Sequence, residues 1–297
     1  MAYLLLPLVA SLLYVFGVLF LKDASVRGVG VWRTTVVANL IFSAVFAMLW
    51  FLGGHLPEPA AWIQPATAAA LFFAGQILAL LALQRGDVSV ATPVMGLKVV
   101  LVAFFVTLIL GECVPGSVWI AAALSSAGII LLGRSGRGMR AGGTTAALVF
   151  GALAAAAFAL FDVLVQKWAP AWGAGRFLPV MMGCVGLYSL PLLAVAGKPV
   201  PSGAWRPLLL GSLFVAVQGS MLISSLALFA RATTINVVYS ARGLWSVALV
   251  WIIGPWFGNR ERDQGSSVFR ARMAGAALLL AAILIVVASK LTTFGSP

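Results

Sequence analysis

The chain has 297 residues, of which 62% are hydrophobic and 9% are charged, and its mean hydropathy is +1.09. Soluble domains carry roughly 25% charged residues, so this composition excludes a soluble globular protein and indicates one embedded in lipid. The net charge of +12 does not indicate nucleic-acid binding, because the basic residues lie mostly between apolar runs and form no basic stripe.

Cysteine and histidine are too few to build a metal site or a disulfide framework. The sequence contains only Cys113, Cys184 and His55, and their spacing is not that of metal ligands. His55 lies in a Gly-Gly-His-Leu-Pro segment, which is typical of a solvated loop. We therefore predict no metal and no cofactor.

Ten apolar runs follow one another along the chain. A hydrocarbon core about 30 Å thick requires roughly 20 apolar residues per helix, and runs without period-two alternation predict helices rather than barrel strands. The first run has no positive region before it and no cleavage site, so we predict a retained helix rather than a signal peptide. The runs cover residues 3–20, 34–53, 66–84, 90–110, 117–133, 145–168, 177–196, 207–230, 233–257 and 271–289.

A polar segment near the middle of the chain predicts two halves of five helices each. The segment Arg134–Arg140 carries three arginines and three glycines or serines, as a linker does. We therefore predict a first repeat at residues 1–133, a linker at 134–144 and a second repeat at 145–297. An odd number of helices per half turns the second half upside down, which is the inverted-repeat plan of many secondary transporters.

Two local similarities support a repeat. The third and eighth runs end alike, in Ala82–Arg85 and Ala227–Arg231, and each is followed by an apolar helix with one cation inside it. These cations are Lys98, about eight residues into the fourth run, and Arg242, about ten residues into the ninth.

The remaining cations predict an orientation. Each loop takes the number of the apolar run before it. Thirteen of these cations lie in odd-numbered loops, whereas four lie in even-numbered loops or the tail. The positive-inside rule then places the odd-numbered loops in the cytoplasm and both termini outside. The thirteen are Lys22, Arg27, Arg33, Arg85, Arg134, Arg137, Arg140, Lys198, Arg206, Arg260, Arg262, Arg270 and Arg272.

The fourth run begins with an early proline in Ala91–Pro93 and ends in Gly111–Glu112, and the fifth run closes at Leu131–Gly133. With the linker and the repeated plan, these features resemble the ten-helix branch of the drug/metabolite transporter superfamily, whose unit is the EamA-type domain. The resemblance covers essentially the whole chain, although the ninth run lacks the proline and ends in Gly258–Glu261 instead. It implies an all-α membrane fold of two inverted five-helix repeats with cytoplasmic termini, opposite to the cation count.

An ionisable group at membrane depth costs roughly 2.5–3.5 kcal/mol, so Lys98 and Arg242 are the first candidates for a substrate site. The resemblance implies that their helices are inner helices of the two repeats, so the two cations would face each other near the midplane. Facing cations suit a carboxylate, phosphate or sulfate, which Arg242 can bind through two parallel hydrogen bonds. The alternative for Lys98 is that its ammonium snorkels to an interface.

Helical spacing places Met95 beside Lys98, and Tyr239 and Trp245 beside Arg242. These side chains could contact the apolar part of a substrate. Gln76 and Gln218 lie in other runs, where each could bind substrate or tie two helices together.

Asp162 is the acidic residue inside the sixth run. Two roles are open for it. It could pair with a cation as a structural strut, or it could exchange a proton and couple transport to a proton gradient.

These features predict a secondary transporter, an exporter or exchanger working by alternating access, rather than an enzyme. Its substrate would be a small anionic or zwitterionic metabolite, such as an amino acid or other carboxylate. A flippase for an anionic lipid-linked compound would share the architecture. An intramembrane enzyme would need a cluster of reactive groups, and a channel would need a polar lining, neither of which the sequence contains. The predicted partners are the substrate and the bilayer of the inner or plasma membrane, with the protein a monomer or weak homodimer that binds no nucleic acid.

Overall fold

The computed structural model describes residues 2–85, 94–132, 144–253 and 266–294. Within these residues every regular element is a helix, which confirms the all-α class. The helices are α1 (Ala2–Val26), α2 (Val31–Ala47), α3 (Ile63–Arg85), α4 (Lys98–Phe105), α5 (Gly116–Leu132), α6 (Thr144–Trp172), α7 (Ala174–Ser189), α8 (Trp205–Phe229), α9a (Ala232–Tyr239), α9b (Arg242–Ile253) and α10 (Ser266–Phe294).

These helices match the predicted apolar runs. Seven of those in the described ranges, α1, α2, α3, α6, α7, α8 and α10, are long and apolar enough to cross a membrane, α2 and α7 together with the 3-10 turns Met48–Leu52 and Leu190–Val195 that continue them. The helices α4 and α5 are shorter and apolar. A π-helical turn, Val106–Leu110, extends α4 and ends at Gly111, whose left-handed backbone stops the helix. The protein is therefore a multi-pass membrane protein.

The ninth run departs from its prediction. We predicted one helix over residues 233–257, but the chain turns at Ser240 and Ala241 and divides the run into α9a and α9b. The Ser240 hydroxyl donates to the carbonyl of Val237 at 2.6 Å. A serine that competes for a backbone carbonyl in this way weakens the helical hydrogen-bond pattern. The run's predicted end, residues 254–257, lies outside the described residues.

Two compact units form within the chain. Unit 1 comprises Met1–Phe73 and Leu164–Ala230, and unit 2 comprises Ala74–Val163 and Arg231–Pro297. Each unit therefore combines residues of both halves of the sequence. The predicted linker at 134–144 lies outside the described residues except for Thr144, which begins α6.

Within each unit, helices of the first half pack against helices of the second. In unit 1, α1 contacts α8, while α2 contacts α7 and α8; in unit 2, α5 contacts α10, and α4 contacts α5 and α9a. The pairs α2 with α7, α4 with α9a and α5 with α10 are counterparts in the predicted repeats. These pairings support the repeat hypothesis, which stays a prediction.

The α5–α10 contact depends on two glycines. A Cβ atom on Gly128 would lie 2.9 Å from the carbonyl oxygen of Gly275, and a Cβ on Gly275 would lie 2.7 Å from that of Gly128. Glycine at both positions lets the two helix backbones come into contact. In lipid the hydrophobic effect does not associate helices, and close packing of small residues does so instead.

Loops of equal parity meet in unit 1. The side chain of Arg27, in the connection from α1 to α2 (loop 1), and that of Arg33, in the first turn of α2, donate to backbone carbonyls in the connection from α7 to α8 (loop 7). At the other end, Trp172 donates through Nε1 to Gln64 at 3.0 Å, and Arg176 lies over the ring of Trp50 at 4.1 Å. Loop 1 thus meets loop 7 at one end of unit 1, and the segment from the end of α2 to the start of α3 meets the α6–α7 junction at the other end. The absolute orientation stays a prediction.

Candidate functional site

Both predicted substrate cations lie directly after a break in a helix. In the fourth run, Gly96 and Leu97 form a turn and Lys98 is the first residue of α4; in the ninth, Ser240 and Ala241 form a turn and Arg242 is the first residue of α9b. This corrects the prediction that the two cations lie well inside continuous helices. Each cation is therefore the first helical residue after a two-residue turn, at nearly the same offset in its apolar run.

A serine pair in α5 contacts both breaks. Ser126 donates through its hydroxyl to the carbonyl of Gly96 at 2.9 Å, and the hydroxyls of Ser125 and Ser240 are hydrogen-bonded at 3.2 Å. All three serines are buried. At the first break the serine gives a backbone carbonyl a side-chain donor, which an apolar surrounding favours, whereas at the second break the bond joins two hydroxyls. Our sequence reasoning missed these serines, although two adjacent serines in an otherwise apolar run are a usable signal.

Lys98 forms an ion pair with Asp162. Its Nζ lies 2.7 Å from Oδ2 of Asp162, and Asn236 donates to the same oxygen through Nδ2, also at 2.7 Å. The Asp162 side chain is 3% exposed and that of Lys98 is 17% exposed. Lys98 therefore pairs inward, which corrects the snorkelling alternative. The cation pairing predicted as one of two roles for Asp162 is present, contributed by α4, α6 and α9a.

Asn236 holds this arrangement in place. Besides its bond to Asp162, Nδ2 donates to the carbonyl of Ala232 one turn earlier at 3.0 Å, and the residue is 3% exposed. These two donors to one carboxylate oxygen replace part of the hydrogen bonds to water that the carboxylate loses on burial. Sequence analysis did not select Asn236 as a site residue.

An aromatic ring lies beside the ion pair. The Nζ of Lys98 is 5.9 Å from the centre of the Phe158 ring, one turn before Asp162 on α6. The ring also packs on Gly75, where an added Cβ would lie 2.9 Å from its nearest carbon. Gln76, half-buried, is the next residue of α3, so the predicted glutamine belongs to the same unit as the ion pair.

Arg242 stacks on the residue three positions before it. Its guanidinium carbon lies 4.9 Å from the centre of the Tyr239 ring, and Tyr239 is 6% exposed. Arg242 and Trp245 are half-buried. Met95, also half-buried, stands three residues before Lys98 as Tyr239 stands before Arg242. Each break therefore has a large, mainly apolar side chain before it, Met95 or Tyr239, and a cation after it.

Seven of the eight predicted site residues lie in unit 2: Gln76, Met95, Lys98, Asp162, Tyr239, Arg242 and Trp245. Gln218, the eighth, lies on α8 in unit 1 and is 5% exposed. None of the His, Cys, Asp and Glu residues in the described ranges form a group of three that could hold a metal ion.

Known proteins resemble this chain in part of its sequence and in all of its fold. Residues 1–134 match the EamA-like transporter family. No curated protein matches the chain. Of the solved structures, 29 chains match. One of them, described as "Crystal structure of protein", is 18% identical with a TM-score of 0.72 and covers 99% of both chains. At that identity the match shows the fold alone, and it extends over residues beyond 134.

Proposed function

We propose that this protein is a secondary transporter of a small zwitterionic or anionic metabolite, because residues 1–134 match the EamA-like transporter family, which belongs to the drug/metabolite transporter superfamily. The family implies a membrane transporter of small molecules. The substrate class, the alternating-access mechanism and the role of an exporter or exchanger are our proposal. So are a location in the inner or plasma membrane, a monomeric or weakly dimeric state and the lack of enzymatic activity.

The observation that carries the proposal is the Lys98–Asp162–Asn236 cluster inside an apolar helix bundle. Ionisable groups at membrane depth are costly and persist where they line a pathway or bind a solute. A structural tie between α4, α6 and α9a could be made by neutral side chains without charge desolvation. The charged cluster, next to a helix break, therefore supports a solute site.

The charge balance of the cluster favours a zwitterion. An anion that binds Lys98 takes the cation away from Asp162, and loss of one partner from a buried ion pair costs about 3–5 kcal/mol. A zwitterion avoids this cost because its ammonium replaces that of Lys98 at Asp162 while its carboxylate binds Lys98. An anion without an ammonium can do the same only together with a proton on Asp162.

Arg242 provides a second contact for the acidic group of the substrate. It is the first residue of α9b, so its guanidinium and the positive end of the helix dipole lie at the same place. Broken membrane helices use such ends to bind the carboxylate of a substrate. The half-buried Met95 and Trp245 supply apolar surface for the rest of the molecule.

Asp162 also supports coupling to protons. In this proposal a proton and the substrate ammonium compete for the same carboxylate, so substrate moves one way as protons move the other. Such competition gives export driven by an inward proton gradient. Replacing Asp162 with Asn should abolish transport driven by a pH gradient in proteoliposomes. Unchanged gradient-driven transport in this variant would rule out the coupling role.

The substrate class can be tested by thermal stability of the purified protein. The standard amino acids are screened first, and each stabilising one is compared with its deaminated and decarboxylated analogues. For leucine these are 4-methylpentanoate and 3-methylbutylamine. We expect stabilisation by the zwitterion at neutral pH, by the acid only at low pH, and none by the amine. Stabilisation by amines alone would contradict the proposal.

A matched pair of arginines tests the assignment of Arg242. Arg85 also stacks on a ring, 5.1 Å from the centre of Phe150 in the same unit, but it ends a helix rather than following a break. Charge-assisted hydrogen bonds contribute about 1.5–3 kcal/mol, so Arg242→Gln should weaken substrate binding by roughly 10- to 100-fold. Arg85→Gln should leave it within about twofold. Equal losses in both variants would show a non-specific charge effect.

A further inference from the structure

One end of unit 1 carries a continuous basic surface formed by loop 1, loop 7 and the ends of α1, α2 and α8 that adjoin them. Arg27 donates through Nη1 to the carbonyl of Gly203 at 3.3 Å, and Arg33 donates through Nη2 to that of Gly197 at 3.0 Å. Below these bonds lies a buried apolar cluster of Ala24, Val29, Ala204 and Leu208. The two loops therefore form one packed surface rather than two independent loops.

The charge on this surface is strongly positive. Residues 22–33 and 196–206 contain five cations and one carboxylate, a net charge of +4. Asp23 pairs with Arg27 at 3.0 Å. No carboxylate in the described part of the chain pairs with the other four, which are Lys22, Arg33, Lys198 and Arg206. Lys22, Lys198 and Arg206 are exposed.

The position of the surface identifies its partner. It lies at the end of α1 and at the starts of α2 and α8, all helices long and apolar enough to cross a membrane, which would place it level with the lipid headgroups. Trp205 is 45% exposed beside Arg206, and Trp32 is half-buried beside Arg33. Tryptophan is enriched at this depth in membrane proteins. The phosphate of an anionic lipid would lie beside the arginine and lysine side chains, and its glycerol would lie beside an indole ring.

We propose that this basic surface, Lys22, Arg27, Arg33, Lys198 and Arg206, binds anionic phospholipid headgroups in preference to zwitterionic ones. Basic groups next to membrane helices attract anionic lipid, and arginine holds a phosphate through paired hydrogen bonds. The binding ties the loop 1–loop 7 end of unit 1 to the more anionic leaflet. It is independent of the small-solute site, whose predicted residues lie elsewhere, chiefly in unit 2.

Native mass spectrometry of the full chain tests this surface. The protein is titrated with equimolar phosphatidylglycerol and phosphatidylcholine in detergent, and the bound lipids are counted. Each basic side chain near an anionic surface contributes about fivefold to binding. We expect a clear preference for phosphatidylglycerol in the wild type, and a loss of about 25-fold in the tightest site of Lys198→Gln/Arg206→Gln. Both side chains are exposed, so this variant should fold.

Lys167→Gln is the matched control, because Lys167 is an exposed cation of α6 in the same unit outside this surface. It should keep the wild-type preference. Raising the salt concentration from 0.05 to 0.5 M should weaken the preference, since salt screens exposed charges. Inorganic phosphate added alone should not compete at millimolar concentration if the acyl chains contribute. Equal binding of both lipids, equal losses in the double variant and the control, or full competition by phosphate would each overturn the proposal.

Discussion

Replacing Lys98 with methionine should destabilise the protein more than replacing Asp162 with asparagine, because the two substitutions leave different groups behind. Lys98→Met leaves a carboxylate that is 3% exposed and that keeps, among the described residues, the hydrogen bond from the amide of Asn236. Asp162→Asn leaves an ammonium that is 17% exposed and can still bond the new amide oxygen. Breaking a buried pair costs about 3–5 kcal/mol, so we expect about 3 kcal/mol for Lys98→Met and about 1 kcal/mol for Asp162→Asn.

The double variant carries no unpaired charge, so it should cost about 1 kcal/mol rather than the sum of about 4. The resulting coupling energy is about 3 kcal/mol, far above the scatter expected for independent sites. Unfolding by sodium dodecyl sulfate in mixed micelles, followed by tryptophan fluorescence, gives the four free energies. The exposed pair Asp23 and Arg27, with side chains 29% and 50% exposed, is the control and should couple by about 0.5 kcal/mol. Additivity at Lys98 and Asp162 within 0.5 kcal/mol, on the order of that scatter, would refute the reasoning.

Two further outcomes follow from the serines and the cysteines. Ser126→Ala removes the donor from the Gly96 carbonyl at the first break and should cost about 1–2 kcal/mol in the same unfolding assay. Ser220→Ala, which removes a bond within α8, should cost less than half of that, and equal costs would argue against a special role of the break. A membrane-impermeant maleimide applied to intact cells should label Cys113, exposed in loop 4, but not the half-buried Cys184 of α7. Labelling only after cell lysis would reverse the predicted orientation.

The sequence was sufficient for the helices because lipid imposes a simple rule. A segment that crosses the membrane must be apolar over its length, so α1, α3 and α8 are visible as runs of hydrophobic residues. The helix breaks at Gly96 and Ser240 were not predictable in the same way. A turn inside an apolar run changes no residue's hydropathy, and it depends on which tertiary donors meet its carbonyls.

The sequence identified charged candidate site residues, because a charge inside an apolar run is rare. It did not identify the neutral polar ones, because such residues are common in the runs. Lys98, Asp162 and Arg242 stood out because each is an ionisable residue inside an apolar run. Their pairing was not determined by sequence, since either cation could have reached the carboxylate. Asn236 is one of several neutral polar residues in the runs, and only its distance to Asp162 distinguishes it.

The acid in the Lys98–Asp162 pair has no counterpart in the other half of the chain. The apolar stretch of α1, residues 2–21, contains no carboxylate, and α1 is the partner of α6 in the predicted repeats. The two predicted repeats would then provide two matched cations, Lys98 and Arg242, but one carboxylate, that of Asp162. A dipolar ligand could dock in one direction only, because the reversed pose brings like charges together. The two enantiomers of such a ligand would place their third substituent against different side chains, so the proposed site should discriminate between enantiomers.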